Sequence, residues 1–503
     1  MRITPELEEF REFAADRRVI PVYARMIVDD ITPVALYESL CGDRTNTFLL
    51  ESAEAGVWSR YSFVGVRTAA TLTEADGRAN WVGRELVGIS DGDPLQGLKH
   101  TLQELATPAN PDLPPFHAGM VGYLGYDLVR RLHDMPDNCT DDLALPELVM
   151  MLTSELAVFD HHRSEVWLIA NAINFDGGPQ GVDRAHADAA AAVRAMAKHL
   201  RSPRRALTPL AAEPAVLEVR RQRSSADYQR IVQSAISRIS SGEASQVVVS
   251  QRFDVPNEAA ALDVYRCLRL TNPSPYLYLL RLDGFDIVGS SPESLVTVSG
   301  GVATTRPIAG SRPRGTTEAE DQALAEELLA DPKERAEHLM LVELGCEELG
   351  QVSREGTVTV HEQLKIHRYS HIMHMEASIS GELEEGRTAL DATLACFPAG
   401  TLTGSPKPKA MEMIDELEES RRGVYGGVVG YFDFAGDSDV AIAIRTALIK
   451  DGTAYVQAGA GIVADSVPEL EDAECRNKAA AVLRAILAAE ALTDLDHTAY
   501  AAP

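Results

Sequence analysis

Ten residues, Pro398 to Lys407, cannot adopt either regular structure of the backbone. Their order is Pro-Ala-Gly-Thr-Leu-Thr-Gly-Ser-Pro-Lys. Prolines at both ends and glycines between them suit neither a helix interior nor a paired strand. The segment has to be a tight turn that leaves backbone amides free. Asp391 to Phe397 before it reads as helix or buried packing, and Ala410 to Leu417 after it reads as an amphipathic helix. A turn opening a helix suits a small anion, because the first N–H groups of a helix lack partners. By itself it is equally a plain structural turn.

The rest of the chain alternates strands and helices in unequal order, which suggests an α+β fold. Thr47–Ser52 and Val149–Thr153 are strand candidates, Thr107–Phe116 is a Pro-rich loop and Asp183–Leu200 is an Ala-rich helix. Ser225–Ser240 reads as a helix capped by Ser224 or Ser225, with Ile231, Ala235, Ile236 and Ile239 on one face. Gln246–Phe253 follows as a buried strand, and Thr317–Ala330 and Lys333–Leu349 as two more helices. Ser202–Arg221 has no clear period and reads as a surface crossing, dividing the chain into 1–200, a linker at 201–222, and 223–495.

With 503 residues and 45% hydrophobic content, the chain can bury the core of one large domain or two. Its 75 acidic against 47 basic residues give −28, which argues against nucleic acid or an anionic membrane as partner. Met1–Glu9 is acidic and lacks the apolar stretch of a signal peptide, and no apolar run approaches a membrane span. The cysteines at 41, 139, 267, 346, 396 and 475 form no CxxC pair, which argues against disulfides and Cys-based zinc. A cytoplasmic enzyme is expected.

Three further blocks lie downstream of the turn: Arg421–Tyr431, Ala441–Thr446 and Gln457–Ser466. In this order the blocks resemble the chorismate-utilising enzymes, from about Ser225 to Leu492, with weaker matches over Thr47–Gly65. The resemblance implies a large two-layered α/β sandwich of antiparallel sheets with helices outside. In it, the N-terminal part folds onto a chorismate-binding catalytic domain.

Glu334 with Glu337, and Glu471 with Glu474, are spaced to share one face of a predicted helix each. A solvated face gives the same spacing, whereas two facing pairs would suit a hard cation that keeps some waters. The resemblance implies Mg²⁺ held by Glu337 and Glu474, with Glu334 and Glu471 nearby or acting through water.

Chorismate is a dianion, so an acidic chain must place cations locally. Arg445 ends the apolar run Val440–Ile444, read here as strand, where an unpaired charge is costly. An ion pair or a carboxylate clamp would both account for it. By resemblance, Arg445 and the hydroxyl of Tyr425 hold the enolpyruvyl carboxylate. Lys478 and the amides near Gly461 and Gly310 are further grips, and Thr401 faces the ring hydroxyl.

Glu293, in a Ser-Pro-Glu-Ser turn, is either a capping carboxylate or, as the resemblance implies, the acid that protonates the departing C4 hydroxyl. Burial would have to raise its pKa for that role. His371, in Tyr-Ser-His, is implied to assist the loss of pyruvate. Its spacing with His367 and His374 leaves zinc a minor reading.

Two positions bear on the nucleophile. Water-using relatives carry a lysine base where this chain has Gln246, and covalent-lysine relatives carry lysine where it has Ala309. Direct attack by ammonia at C2 remains. No cysteine sits in a glutaminase-like elbow, so a separate glutamine amidotransferase subunit or free ammonia is expected.

The family pattern breaks on the Lys333–Leu349 helix, where Cys346 replaces an arginine and Glu347 an asparagine. The Glu-Glu-Leu run is more like synthases that stop at 2-amino-2-deoxyisochorismate (2-amino-4-deoxychorismate) for antibiotic-type pathways. That product is the expectation here, with anthranilate plus pyruvate as the alternative. Glu51, Ser52, Arg60, Pro275, Tyr276, Tyr431 and Asp439 match the family's tryptophan pocket, so a tryptophan effector is expected, or these residues only pack the N-terminal part onto the core. A homo-oligomer is compatible with all of this.

Overall fold

Alternation along single strands separates two packed faces. In Tyr276–Arg281, Leu277 and Leu279 enter one apolar cluster while Tyr278 and Leu280 enter another. In Gly119–Leu124, Met120 and Val121 divide in the same way. Successive side chains of a strand point to opposite sides, so each strand contributes to two cores.

The computed structural model describes residues 1–53, 60–84, 86, 92–201, 218–368 and 372–492. Among them every ladder between strands is antiparallel. One arm runs from Arg220–Arg221 through Gln246–Pro256, Thr453–Ile462, Thr446–Lys450, Asp286–Ser291 and Tyr276–Arg281 to Thr47–Glu51. It continues into the long strands Tyr61–Ala75 and Leu148–Asp160. From there the other arm runs through Gly119–Leu124, Val428–Asp433, Ser438–Ile442, Ser294–Ser299 and Val302–Thr305 to Ile372–Glu382. Strands of the first 200 residues are thus hydrogen-bonded to strands of the C-terminal half at two places.

The inner faces of the arms meet in a core that includes Phe48, Phe116, Tyr123, Tyr278, Ile287 and Val429. The outer face of the first arm is covered by the helices Pro33–Cys41, Val182–Leu200, Ala261–Thr271 and Pro468–Glu490. Pro94–Glu104 and Ala389–Cys396 cover the second arm. The result is the expected α+β sandwich with helices outside. No described helix is long and apolar enough to cross a membrane.

Three local readings shift. The helix Ser225–Ser240 starts where expected, with the Ser224 hydroxyl accepting from the Asp227 amide at 3.1 Å. Its buried face, however, is Tyr228, Val232, Ala235 and Ile239, with Ile231 and Ile236 at the flanks, because Tyr228 reaches inward to donate to the Val249 carbonyl at 3.0 Å. Arg220–Arg221, placed in the linker by sequence, pairs as a short strand with Asp254 and Phe253. Arg445 is not in a strand. The strand ends at Ile442, and Arg445 occupies a bend at φ 52° before Thr446 begins the next one.

Candidate active site

The predicted turn becomes one helical turn, Gly400–Thr403, followed by a two-residue strand, Gly404–Ser405, that pairs with Val247 and Gln246. Gly404 has φ 133°, and a Cβ there would lie 2.1 Å from the Gln246 carbonyl oxygen, so only glycine lets the turn close onto the sheet. This closure aims Thr401 at Glu293, 108 residues away, and the Thr401 hydroxyl donates to the Glu293 carboxyl at 3.3 Å.

Glu293 sits between the strands Asp286–Ser291 and Ser294–Ser299, its carbonyl accepting from the Ile442 amide at 3.0 Å. Burial pushes its carboxyl up to about 7, against the opposing effects of Thr401 and Lys478. It borders a cavity of about 400 Å³, measured to its open mouth, with Thr401, Arg306, Leu344 and Glu348 also on the wall. A carboxyl that is still protonated near neutral pH, beside an open space, can act as a general acid.

Lys478, on the helix Pro468–Glu490, donates to the Gly459 carbonyl at 3.1 Å and pairs with Glu474 at 2.7 Å. Arg445 donates to the Lys478 carbonyl at 2.7 Å, and among the described residues it has no carboxylate within ion-pair distance. Burial lowers its pKa, while Tyr425 and Glu474 oppose that effect. A half-buried guanidinium with no anion of its own suits an incoming carboxylate.

The Tyr425 hydroxyl stands 2.9 Å from where a Cβ on residue 459 would lie, so Gly459 makes room for it. Gly461 does the same for the Gln246 side chain, whose amide nitrogen would be 2.8 Å from a Cβ. On the other side, Gly310 has φ 67° and its carbonyl contacts Nδ1 of His374 at 3.1 Å. Burial lowers the His374 pKa, and the positive charge of Arg445 adds to the effect. Glu293 and Thr401 line the cavity, Lys478 acts electrostatically on Glu293, and Arg445 is bonded to the Lys478 carbonyl and acted on by Tyr425. His371 lies outside the described residues.

Glu334 and Glu337 occupy the first turns of the helix Pro332–Gly350, and Glu471 and Glu474 those of Pro468–Glu490. The two ends are near enough for Lys333 to act electrostatically on Glu471. Burial and then its paired neighbour raise the pKa of Glu334, and burial and Glu474 do so for Glu471. All-oxygen donors that repel one another fit a hard dication in their chemistry. The four do not converge, and among the described residues no group of three or more His, Cys, Asp or Glu side chains could hold a metal. Glu474 is drawn to Lys478, and Glu334 leans towards Arg312 at 3.8 Å.

The sequence profile of the chorismate binding enzymes matches residues 45–484. The chain belongs to that family. This chorismate-binding enzyme is 52% identical over 499 residues to anthranilate synthase component 1 of Mycolicibacterium smegmatis, covering 98% of this chain and 95% of the relative. To anthranilate synthase component 1 of Acetivibrio thermocellus it is 42% identical, covering 96% and 98%. The crystal structure of anthranilate synthase component I from Streptococcus pneumoniae TIGR4 matches with a TM-score of 0.77 at 33% identity, covering 91% of this chain and 99% of that one. The menaquinone-specific isochorismate synthase of Escherichia coli, 18% identical with a TM-score of 0.70 over 95% of this chain and 98% of its own, shares the fold.

On the Pro332–Gly350 helix of this chorismate-binding enzyme, Cys346 and Glu347 point away from the cavity, whereas Glu348 of the same run faces it. Glu343 and Glu347 are exposed, and Cys346 packs against the outer core of the second arm. Leu341, Leu344, Gly345 and Glu348 line the cavity instead, with Glu348 buried against Lys407 at 2.5 Å. Spacing on the helix could have separated these faces, since 341, 344, 345 and 348 repeat at helical intervals.

The residues matched to a tryptophan pocket divide in two. Ser52, Pro275, Tyr276, Tyr431 and Asp439 lie together: the Ala53 amide donates to the Ser274 carbonyl at 3.4 Å, and Tyr276 bonds Asp439. Tyr431 stands against Asp439 and stacks 4.5 Å from Phe116. Burial pushes the Asp439 carboxyl up to about 6, and its Oδ1, like the Ser52 hydroxyl, has no hydrogen-bond partner among the described residues. Glu51 is engaged instead by Tyr265 at 2.6 Å and Arg269 at 3.0 Å, and Arg60 by Asp160 at 2.9 Å.

Proposed function

We propose that this enzyme is the chorismate-aminating component of an anthranilate synthase, converting chorismate and ammonia to anthranilate, pyruvate and water. The reading rests on a Glu293 carboxyl pushed up to about 7 beside Thr401 and Lys478, with Arg445 bonded to the Lys478 carbonyl, in a chain that is 52% identical over nearly its whole length to proteins of that name. Glu293 gives its proton to the C4 oxygen as the C4–O bond breaks. Ammonia bonds to C2 as the ring double bonds shift, and its surplus proton returns to the vacated carboxylate. Loss of the C2 proton with cleavage of the C3–O bond then releases enolpyruvate and makes the ring aromatic. We assign His371 to that second stage on its Tyr-Ser-His context.

Arg445 and Tyr425 take the enolpyruvyl carboxylate. By the family resemblance, Glu337 and Glu474, with Glu334 and Glu471 beside them, would hold Mg²⁺ once Glu474 leaves Lys478 and the carboxylates converge, and the ion would offset the charge of the ring carboxylate. Ammonia comes from a partner glutamine amidotransferase or from free ammonium, the location is cytoplasmic, and tryptophan acts as effector at Ser52, Pro275, Tyr276, Tyr431 and Asp439, with Glu51 and Arg60 held apart by their own ion pairs.

Arrest at 2-amino-2-deoxyisochorismate is the less supported reading, because relatives 52% identical to this chain are named anthranilate synthase component 1; of the Glu-Glu-Leu run, Glu347 is exposed while Glu348 lines the cavity. The test is chromatography with mass detection and anthranilate fluorescence on protein given chorismate, Mg²⁺ and ammonium. Fluorescent product with released pyruvate is expected. A non-fluorescent aminated adduct that keeps its enolpyruvyl group would overturn the reading.

A further inference from the structure

Glu418 and Arg422 are four residues apart and almost wholly shielded from water, with side-chain exposures of 4% and 1%. Arg422 donates Nε to Glu418 Oε2 at 2.9 Å and Nη2 to Oε1 at 2.7 Å. It has two other acceptors, the Leu402 carbonyl at 2.7 Å and the Val248 carbonyl at 2.8 Å. Glu418 Oε1 also accepts from the amide and the hydroxyl of Ser250, both at 2.8 Å. The guanidinium lies 4.6 Å from the Tyr126 ring and 5.5 Å from the Tyr425 ring.

Each anchor point of the pair is one step from a group of the active site. Leu402 follows Thr401. Val248 is opposite Gly461 and Ser250 opposite Gly459 in strand register. Tyr425 is touched directly. A buried ion pair is a poor stabilising device, since removing two charges from water costs about as much as their attraction returns. The pair instead ties the segment that carries Tyr425 to two others, the Thr401 turn and the strand Gln246–Pro256 that lies beside Gly459 and Gly461.

We propose that Glu418–Arg422 is a positioning pair, which sets the Thr401 turn, the Tyr425 ring and the Gly459–Gly461 strand in mutual register. The proposal rests on the anthranilate synthase reading for its kinetic readout but not for its structural one. Lysine cannot reproduce the fork that reaches a carboxylate and two carbonyls together, although it keeps Glu418 neutralised.

Arg422→Lys is the first variant, and the double replacement Glu418→Met with Arg422→Met is the second. Both are expected to unfold cooperatively within a few degrees of the parent. Amide hydrogen exchange over 398–406 should quicken at least tenfold, with the Pro33–Cys41 helix unchanged. With chorismate and ammonium, kcat should fall at least thirtyfold, and its alkaline limb should move upward as the Thr401 donor is lost to Glu293. Unaltered exchange over 398–406 with kcat within threefold of the parent overturns the proposal. So does a loss of activity that only follows the folded fraction. Absence of anthranilate from the parent protein refutes the functional reading alone, because the exchange result stands without turnover.

Discussion

Replacing Thr401 by valine removes one hydroxyl and keeps the shape of the side chain. That hydroxyl donates to the Glu293 carboxyl at 3.3 Å and opposes the burial that holds the acid up to about 7. A hydrogen bond to a charged group is worth about 1.5 to 3 kcal/mol, and the long distance places this one at the low end. At roughly 1.4 kcal/mol per pH unit, its loss should raise the Glu293 pKa by about one unit. Lys478 remains to favour the ionised form, and Glu348 and Arg306 line the same cavity, so the acid does not become fully insensitive to pH.

A general acid must be protonated to act, so kcat of the parent should decline as pH rises through about 7. In Thr401→Val the decline should begin about one unit higher. The assay is anthranilate fluorescence under saturating chorismate and ammonium, from about pH 6 to about pH 9. A limb that stays in place, or moves to lower pH, would refute the claim that Thr401 stabilises ionised Glu293.

Glu293→Gln keeps the volume of the acid but has no proton to give. It should lower kcat by a factor of about 10² to 10⁴ while leaving chorismate affinity, measured by calorimetry, nearly unchanged. Gly459→Ala places a methyl group 2.9 Å from both the Tyr425 hydroxyl and the Val249 carbonyl, so KM for chorismate should rise more than kcat falls in steady-state kinetics. Asp433→Asn tests a buried carboxyl that burial pushes from 3.8 up to about 7. Stability tied to its neutral form is complete below about pH 4 and is lost as pH rises through about 7, up to about 4 kcal/mol at 1.4 kcal/mol per unit. The variant should therefore melt higher than the parent at alkaline pH, with no gain in acid, by differential scanning calorimetry.

Local rules read well where the cause is local. Ser224 starts its helix, the cap geometry requiring only three residues, and the glycines and prolines of 398–407 force a turn whatever surrounds them. The family blocks were legible in the sequence, and Glu293, Arg445 and Tyr425 drew attention because each sits in a short run of unusual composition. Arg445 misled as to its backbone, since Val440–Ile444 reads as strand. The strand stops at Ile442, whose amide donates to the carbonyl of Glu293, a partner about 150 residues away in the chain.

The same limit applied to the roles of neighbours. Helical spacing groups 341, 344, 345 and 348 on one face and leaves 347 off it, but only the folded structure shows that this face lines a cavity, and the choice of product had been drawn from 346 to 348 without that distinction. Glu418 and Arg422 look like an ordinary i, i+4 surface pair until the sheet and the Thr401 turn close over them. Sequence by itself determined the elements, the family and the chemistry available, because propensity and motif act over a few residues. Tertiary structure alone decided which carboxyl is desolvated, which cation is left without an anion and which charges are buried, because those depend on what distant segments bring within a few ångströms.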